Sequence, residues 1–257
     1  MINPDWLVPR WPAPPGVRAV CTTRAGGIST ANYEGLNLGD HVGDDPTAVQ
    51  SNRQALRNAI GARPVFLQQV HGTGVLALDA SSVDGAAADA CSTDASGIAC
   101  TIMVADCLPV LFTDMAGRRV AAAHAGWRGL AAGVLERTLE TFQAEGGAGS
   151  VMAWLGPCIG PDAFEVGDEV RAAFEAVSPE ARECFVAANS TGTPMAAGKW
   201  MADLAGLARQ RLVAAGVTLL HGNDSSDAWC TVHNPLRFFS HRRDRFSGRF
   251  AACIWRG

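Results

Sequence analysis

Short apolar runs and segments of helical apolar periodicity alternate along the chain, which predicts strands interleaved with helices. The predicted strands cover residues 17–23, 64–70, 75–78, 97–104, 110–113, 119–124, 151–155, 217–220 and 249–255. The predicted helices cover residues 46–60, 130–143, 167–177 and 199–216. Residues 81–94 and 179–198 are small or polar and are predicted to be irregular. Because the elements are interleaved without a regular repeat, a single α/β (α+β) domain with mixed sheets is expected over residues 1–257.

Three of the apolar runs end at a side chain that commonly binds metals. These side chains are His71, Cys107 and His124, and a glycine or proline follows each within two residues. A lone buried cysteine or histidine is usually only a packed core residue. The three share a position at a strand end, where α/β proteins build their sites, so they are expected to converge at one rim of a sheet.

Imidazole and thiolate ligands together suit Zn²⁺, with copper as the competing metal. Three protein ligands leave one tetrahedral position open, which is the pattern of a catalytic zinc site. Asp106 directly precedes Cys107. It is a candidate supporting group or general base for the site, and a turn residue is the equally weighted alternative.

Three arginines are candidate anion-binding residues. Arg24 begins a glycine-rich turn, Arg128 precedes a predicted helix start, and Arg242 lies in a basic pair. Guanidinium groups hold phosphate through paired hydrogen bonds, and helix starts also favour anions. An ordinary tight turn competes with this interpretation for Arg24, and a solvated turn competes for Arg242.

Composition narrows the class of protein. The chain has 257 residues, 48% of them hydrophobic, and a formal charge of -4, which suits a compact enzyme and argues against nucleic-acid binding. Its eight cysteines include no C-x-x-C pair, so reduced thiols are expected. It contains no apolar segment of membrane-spanning or signal-peptide length. A cytoplasmic monomer is therefore expected.

Five phrases of the sequence carry a family resemblance: QQVHG, ADCLPVLF, AAAHAGWRGL, AWLGPCIGP, and FFSHRRD with a following GR. They closely resemble the YfiH-like family, also called the laccase-domain or multicopper polyphenol oxidoreductase family, and the resemblance covers nearly the whole chain. It implies a single-domain sandwich of mixed sheets and a zinc ion held by His71, Cys107 and His124.

The resemblance also implies a purine nucleoside phosphorylase, in which phosphate attacks C1′ of inosine or adenosine and releases the base and ribose 1-phosphate. Cleavage of methylthioadenosine and deamination of adenosine are associated activities. On this interpretation Cys107 and Asp106 are the catalytic candidates, and Arg24, Arg128 and Arg242 bind substrate or phosphate. The expected partners are a nucleoside and phosphate.

Three alternatives remain open. A copper-dependent polyphenol oxidase is disfavoured, because a multicopper relay needs many imidazoles and the chain has six scattered histidines. A cysteine hydrolase acting on a peptidoglycan precursor would use Cys107 as nucleophile and His124 as base, and it requires Cys107 to be free of metal. A non-enzymatic zinc-stabilised binding protein would lose stability on chelation but have no activity to lose.

Overall fold

Two stacked sheets lie at the centre of the computed structural model, which describes residues 1–143, 150–187 and 198–257. The four-stranded sheet has the order β1 (Val17–Cys21), β13 (Phe250–Arg256), β5 (Ile98–Val104) and β2 (Arg63–Phe66). The six-stranded sheet has the order β12 (Leu219–Gly222), β8 (Val151–Leu155), β6 (Leu108–Asp114), β7 (Val120–Ala125), β4 (Ala90–Thr93) and β3 (Val75–Ala77). Both sheets combine parallel and antiparallel pairs, as the sequence predicted.

The central strands are buried on both faces, which explains their uninterrupted apolar runs. In β5, Cys100 and Ile102 face the six-stranded sheet, whereas Ala99 and Met103 face the opposite side. Strand β13 alternates in the same way. Between the two sheets lies a core to which Trp154 contributes a fully buried side chain.

Helices cover the outer faces of both sheets. Helix α1 (Pro46–Ile60) packs on the four-stranded sheet, and it begins where the Asp45 side chain accepts from the Thr47 amide and ends at Gly61, φ 66°. The outer face of the six-stranded sheet is covered by α2 (Trp127–Ala132), α3 (Val134–Glu140), α4 (Asp168–Glu175) and α5 (Leu204–Ala214). A short α6 (His241–Asp244) precedes β13.

Several predicted boundaries were wrong. Residues 90–93, predicted to be a loop, form β4 because they pair with β7 and β3. The predicted helix 130–143 begins earlier, at Trp127, and is interrupted at Gly133, φ 100°. The predicted strand 64–70 ends at Phe66. The predicted helix 199–216 begins with a strand, β11 (Lys199–Ala202), and becomes helical only after Asp203.

Strand β11 belongs to a third sheet in the described residues, between β10 (Phe185–Ala187) and β9 (Glu165–Gly167). Strand β10 lies within the segment 179–198 that was predicted to be irregular; residues 188–197 of that segment lie outside the described residues. Among the residues that the structure describes, no helix is long and apolar enough to cross a membrane.

Candidate metal centre

Three chain reversals bring the predicted metal ligands together. Cys107 lies immediately before β6 and His124 lies near the end of β7, and these two strands are antiparallel neighbours. His71 lies in the irregular segment after β2. One ligand atom from each residue lies within 4.8 Å of the other two, and the Cys107 Sγ to His71 Nε2 distance is 3.8 Å. The two imidazole rings meet edge to face at 4.7 Å. The cluster can therefore hold a metal ion.

Asp89 lies in the segment 81–94 that was predicted to be irregular, and it positions both histidines. Its fully buried carboxylate accepts from His124 Nδ1 at 2.8 Å, so the Nε2 atom of that ring remains available to a metal. It also accepts from the backbone amides of Val70, His71 and Gly72 at 3.2, 2.9 and 2.7 Å. His71 has a φ of 60°, which is unfavourable for a residue other than glycine. The four hydrogen bonds to Asp89 hold this conformation in place.

Two glycines of the AHAGWRG phrase make room for the cluster. A Cβ at Gly126 would lie 2.8 Å from His71 Cδ2 and 3.0 Å from Cys107 Sγ. A Cβ at Gly129 would lie 2.8 Å from the Gly72 carbonyl oxygen. The backbone therefore approaches the ligands more closely than any side chain would allow.

The electrostatics of the cluster favour a thiolate. Burial opposes ionisation of the Cys107 thiol, but the His124 and His71 imidazoles lower its pKa to about 6. Burial likewise opposes protonation of His124, but the Cys107 thiolate and the Asp89 carboxylate raise its pKa to about 9. Burial also opposes ionisation of Asp89, yet the hydrogen bonds that it accepts hold its pKa below the usual value. An ionised sulfur beside imidazoles is the donor set that a cation such as Zn²⁺ would complete.

Asp106 links the Cys107 turn to a distant part of the chain. Its Oδ1 accepts from the Thr231 hydroxyl at 2.6 Å, and its Oδ2 accepts from the Arg242 amide at 2.6 Å. Its carbonyl accepts from the Ile159 amide at 2.8 Å. Both carboxylate oxygens are thus occupied, and φ is 96°. Asp106 therefore holds the turn before Cys107 against the segments that contain Thr231 and Arg242.

A cavity of about 240 Å³ opens beside the cluster, lined in part by His71 and Cys107. Phe164, Ile159 and Leu204 give it buried apolar walls. Its other lining residues are Ala105, Asp106, Trp127, Arg128, His241, Arg242 and Arg245. The cavity therefore combines two of the candidate metal ligands with apolar walls and several cationic groups.

Two of the cavity's arginines lie over its aromatic side chains. The Arg128 guanidinium lies 4.4 Å from the centre of the Trp127 ring, and that of Arg242 lies 5.6 Å from the Phe164 ring. Arg242 also donates to the Glu165 carbonyl at 3.2 Å. Both arginines are exposed at the cavity mouth.

A family model described as multi-copper polyphenol oxidoreductase laccase matches residues 18–257. The chain belongs to this YfiH-like family. The YfiH-like chain is 52% identical, over 97% of its length and 98% of the relative, to a protein of Pseudomonas aeruginosa named purine nucleoside phosphorylase. It is 47% identical to the purine nucleoside phosphorylase YfiH of Escherichia coli, with 97% and 98% of the two chains covered.

Solved structures of the YfiH-like family share the fold. A Neisseria meningitidis protein superposes with a TM-score of 0.89 at 45% identity, covering 98% of this chain and 99% of that one. YlmD from Geobacillus stearothermophilus superposes with a TM-score of 0.84 at 32% identity, covering 94% of this chain and 92% of that one. These comparisons confirm the predicted family and fold class.

The structure does not bring every predicted site residue of this YfiH-like chain into the cavity. The Arg24 guanidinium donates to the carbonyls of Glu34 and Pro235 and lies 4.9 Å from the Phe239 ring. It ties loops together and does not line the metal cavity. Conversely, Arg245 lines the cavity although sequence reasoning missed it; its only sequence signal is a position four residues after His241 in a basic segment.

Proposed function

We propose that this chain is a zinc-dependent purine nucleoside phosphorylase that acts on inosine or adenosine, and on methylthioadenosine. In this reaction a phosphate oxygen forms a bond to C1′, the bond from C1′ to the purine nitrogen breaks, and the base leaves with a proton. One observation carries the proposal: His71 and Cys107 of the His–Cys–His cluster line the same small cavity as two exposed arginines, Arg128 and Arg242. The names of the two relatives at 52% and 47% identity support it.

Zinc is the proposed metal because borderline nitrogen ligands and a thiolate suit it, with copper as the competitor. His71, Cys107 and His124 would hold it and leave one position open. A zinc ion there would supply Lewis-acid chemistry and an activated water, which is what the proposed adenosine deaminase side activity requires.

The protein side chains bind and position the reactants. We assign phosphate binding to Arg128 and Arg242, whose guanidinium groups suit a tetrahedral oxyanion. Trp127 and Phe164 offer aromatic faces to the purine ring. We assign Asp106 a positioning role and not that of a general base, because both its oxygens already accept short hydrogen bonds.

Product analysis tests the proposal. Purified protein of known zinc content is incubated with inosine, with and without phosphate, and hypoxanthine and ribose 1-phosphate are measured. We expect release that depends on phosphate and is lost on chelation. Cys107→Ala should lose zinc and turnover together, whereas Cys184→Ala, a partly exposed thiol outside the cluster, should keep both. Zinc-loaded protein that releases no base, or a Cys107→Ala variant that keeps its metal, would refute the proposal.

A cysteine hydrolase is the second candidate, because the Cys107 pKa of about 6 beside His124 resembles the ion pair of such enzymes. On this hypothesis the metal-free protein is active on a peptidoglycan precursor. Hydrolysis of that precursor that increases on chelation would therefore favour the hydrolase.

An oxidase is not proposed. The described part of the chain has two groups of candidate metal ligands. The first, described above, contains two imidazoles; the second consists of Asp227, Cys230 and His233 and contains one. A four-copper relay needs more imidazoles than these.

A further inference from the structure

Arg245 is presented to the metal cavity by a strained backbone. It directly follows α6 and has φ 64° and ψ -60°, a conformation that residues other than glycine rarely adopt. Its amide donates to the His241 carbonyl at 2.8 Å, so the strain sits in a hydrogen-bonded turn. Strained non-glycine residues concentrate where a side chain has a task at a site.

Helix α6 is fixed relative to the metal cluster. The Asp106 carboxylate, next to Cys107, accepts from the Arg242 amide at 2.6 Å. The Ser240 hydroxyl accepts from the Arg243 amide at 3.2 Å and caps the helix start. The side chain at residue 245 is therefore carried by a rigid turn anchored beside the ligands.

The arginines of this segment differ in what they bind. Arg243 donates to the carbonyls of Thr231, Val232 and Phe238 and pairs with Asp244. Arg242 uses one nitrogen on nearby carbonyls. Within the described ranges, no hydrogen bond or ion pair engages the Arg245 guanidinium, although it lines the cavity. Its donors are available to a ligand.

The cavity has a surplus of positive charge. Arg128, Arg242 and Arg245 line it, and His241 adds a further donor. The only carboxylate among its described lining residues is Asp106, whose oxygens are both occupied, and the Cys107 sulfur is a metal ligand in the proposed function. A small oxyanion at this mouth would meet uncompensated guanidinium groups.

We propose that Arg245 is a further phosphate-binding residue, which closes the anion subsite together with Arg128 and Arg242. This inference rests on the proposed phosphorylase function and extends it. The positive φ is explained by the need to direct a guanidinium into the cavity from the end of a one-turn helix.

Three substitutions separate charge from backbone strain. Arg245→Ala removes the charge and keeps the strain, Arg245→Gly removes both, and Arg245→Lys keeps the charge. Arg10→Ala, at an exposed residue outside the cavity, is the matched loss of one positive charge. Two quantities are measured on zinc-loaded protein: the KM values for phosphate and inosine, and the rise in Tm caused by inorganic phosphate.

We expect Arg245→Ala and Arg245→Gly to raise the phosphate KM about 10-fold or more, the usual effect of losing a charge-assisted hydrogen bond. The inosine KM should change less than about 2-fold, and Arg245→Lys should recover part of the loss. Arg245→Gly should melt no lower than the wild type, because glycine adopts positive φ without penalty. Arg10→Ala should match the wild type throughout.

The inference is overturned if Arg245→Ala leaves the phosphate KM unchanged, or if both KM values rise together without rescue by lysine. If the wild type shows no phosphorolysis, the proposed function fails and the Tm measurement decides alone. A phosphate-induced rise in Tm that is lost in Arg245→Ala then supports the anion subsite. No rise in the wild type, or an equal rise in the variant, overturns it.

Discussion

Replacing Asp89 with asparagine tests how the candidate metal ligands are held in place. The carboxylate accepts four hydrogen bonds, two on each oxygen: Oδ1 from His124 Nδ1 and the His71 amide, Oδ2 from the Val70 and Gly72 amides. Asparagine keeps the shape but has one accepting oxygen. In either orientation its NH₂ group faces two donors that previously had an acceptor.

The expected cost follows from these contacts. A buried donor left without a partner costs about 1–3 kcal/mol, so losing the acceptor for two donors should lower the free energy of unfolding of the chelated protein by about 2–6 kcal/mol. Loss of the carboxylate behind His124 should weaken metal binding about 10- to 100-fold, as is usual for the partner of a metal-bound imidazole. Both effects come from a residue that is not itself one of the candidate metal ligands.

The measurements are a zinc competition titration against a chromophoric chelator at neutral pH, and urea denaturation of the chelated protein. Asp94→Asn is the control, because Asp89 directly precedes strand β4 and Asp94 directly follows it. The Asp94 side chain is mostly exposed, and among the described residues its carboxylate makes only a long ion pair with Arg119, at 3.5 Å. It should shift stability by no more than about 0.5–1 kcal/mol and leave zinc binding unchanged. Wild-type zinc affinity in Asp89→Asn would refute the assigned role.

Two further predictions concern the cluster itself. In chelated protein, iodoacetamide should modify Cys107 at a rate that rises as the thiolate forms through about pH 6, while Cys184, whose pKa is raised to about 12 by burial and nearby carboxylates, stays unmodified. Peptide mass spectrometry measures the modification of each cysteine. A Cys107 modification rate that rises only near pH 8.5, the ordinary pKa of a thiol, would contradict the prediction. Gly126→Ala should lower zinc affinity and keep the fold, because the new Cβ lies 3.0 Å from Cys107 Sγ. Gly74→Ala is the control, because its new Cβ would lie no closer than 3.8 Å to a neighbouring atom. Both variants are compared by zinc titration and by circular dichroism. Equal zinc affinity in the two variants would argue against the steric explanation.

Local sequence signals predicted much of this fold. Helix α1 matches its predicted limits, because Asp45, a proline at the first turn and Gly61 mark its ends within the sequence itself. The convergence of His71, Cys107 and His124 was also predictable, since each interrupts an apolar run at a chain reversal. Each of these signals is local: a capping residue at a helix end, or a candidate ligand within two residues of a glycine or proline.

The missed features depend on distant partners. Strand β4 has small and polar residues, and it is a strand only because β7 and β3 pair with it. Trp200 is extended because β9 and β10 flank its strand. Asp89 looks like a loop residue until four donors from other segments surround it. The anchoring of Arg24 to loop carbonyls and the exposure of Arg245 to the cavity are equally invisible in the sequence.

The Asp106 link also sets an order of events during synthesis. Its partners Thr231 and Arg242 follow it by 125 and 136 residues, and the last strand, β13, lies between β1 and β5. At about 5–20 residues per second, roughly 6–24 s separate the synthesis of His124 from that of Arg242. A nascent chain therefore carries all three candidate metal ligands before the turn that holds Cys107 can be anchored. The anchored form of the cluster, in which we propose that a metal ion is held, is therefore complete only after Arg242 has been made.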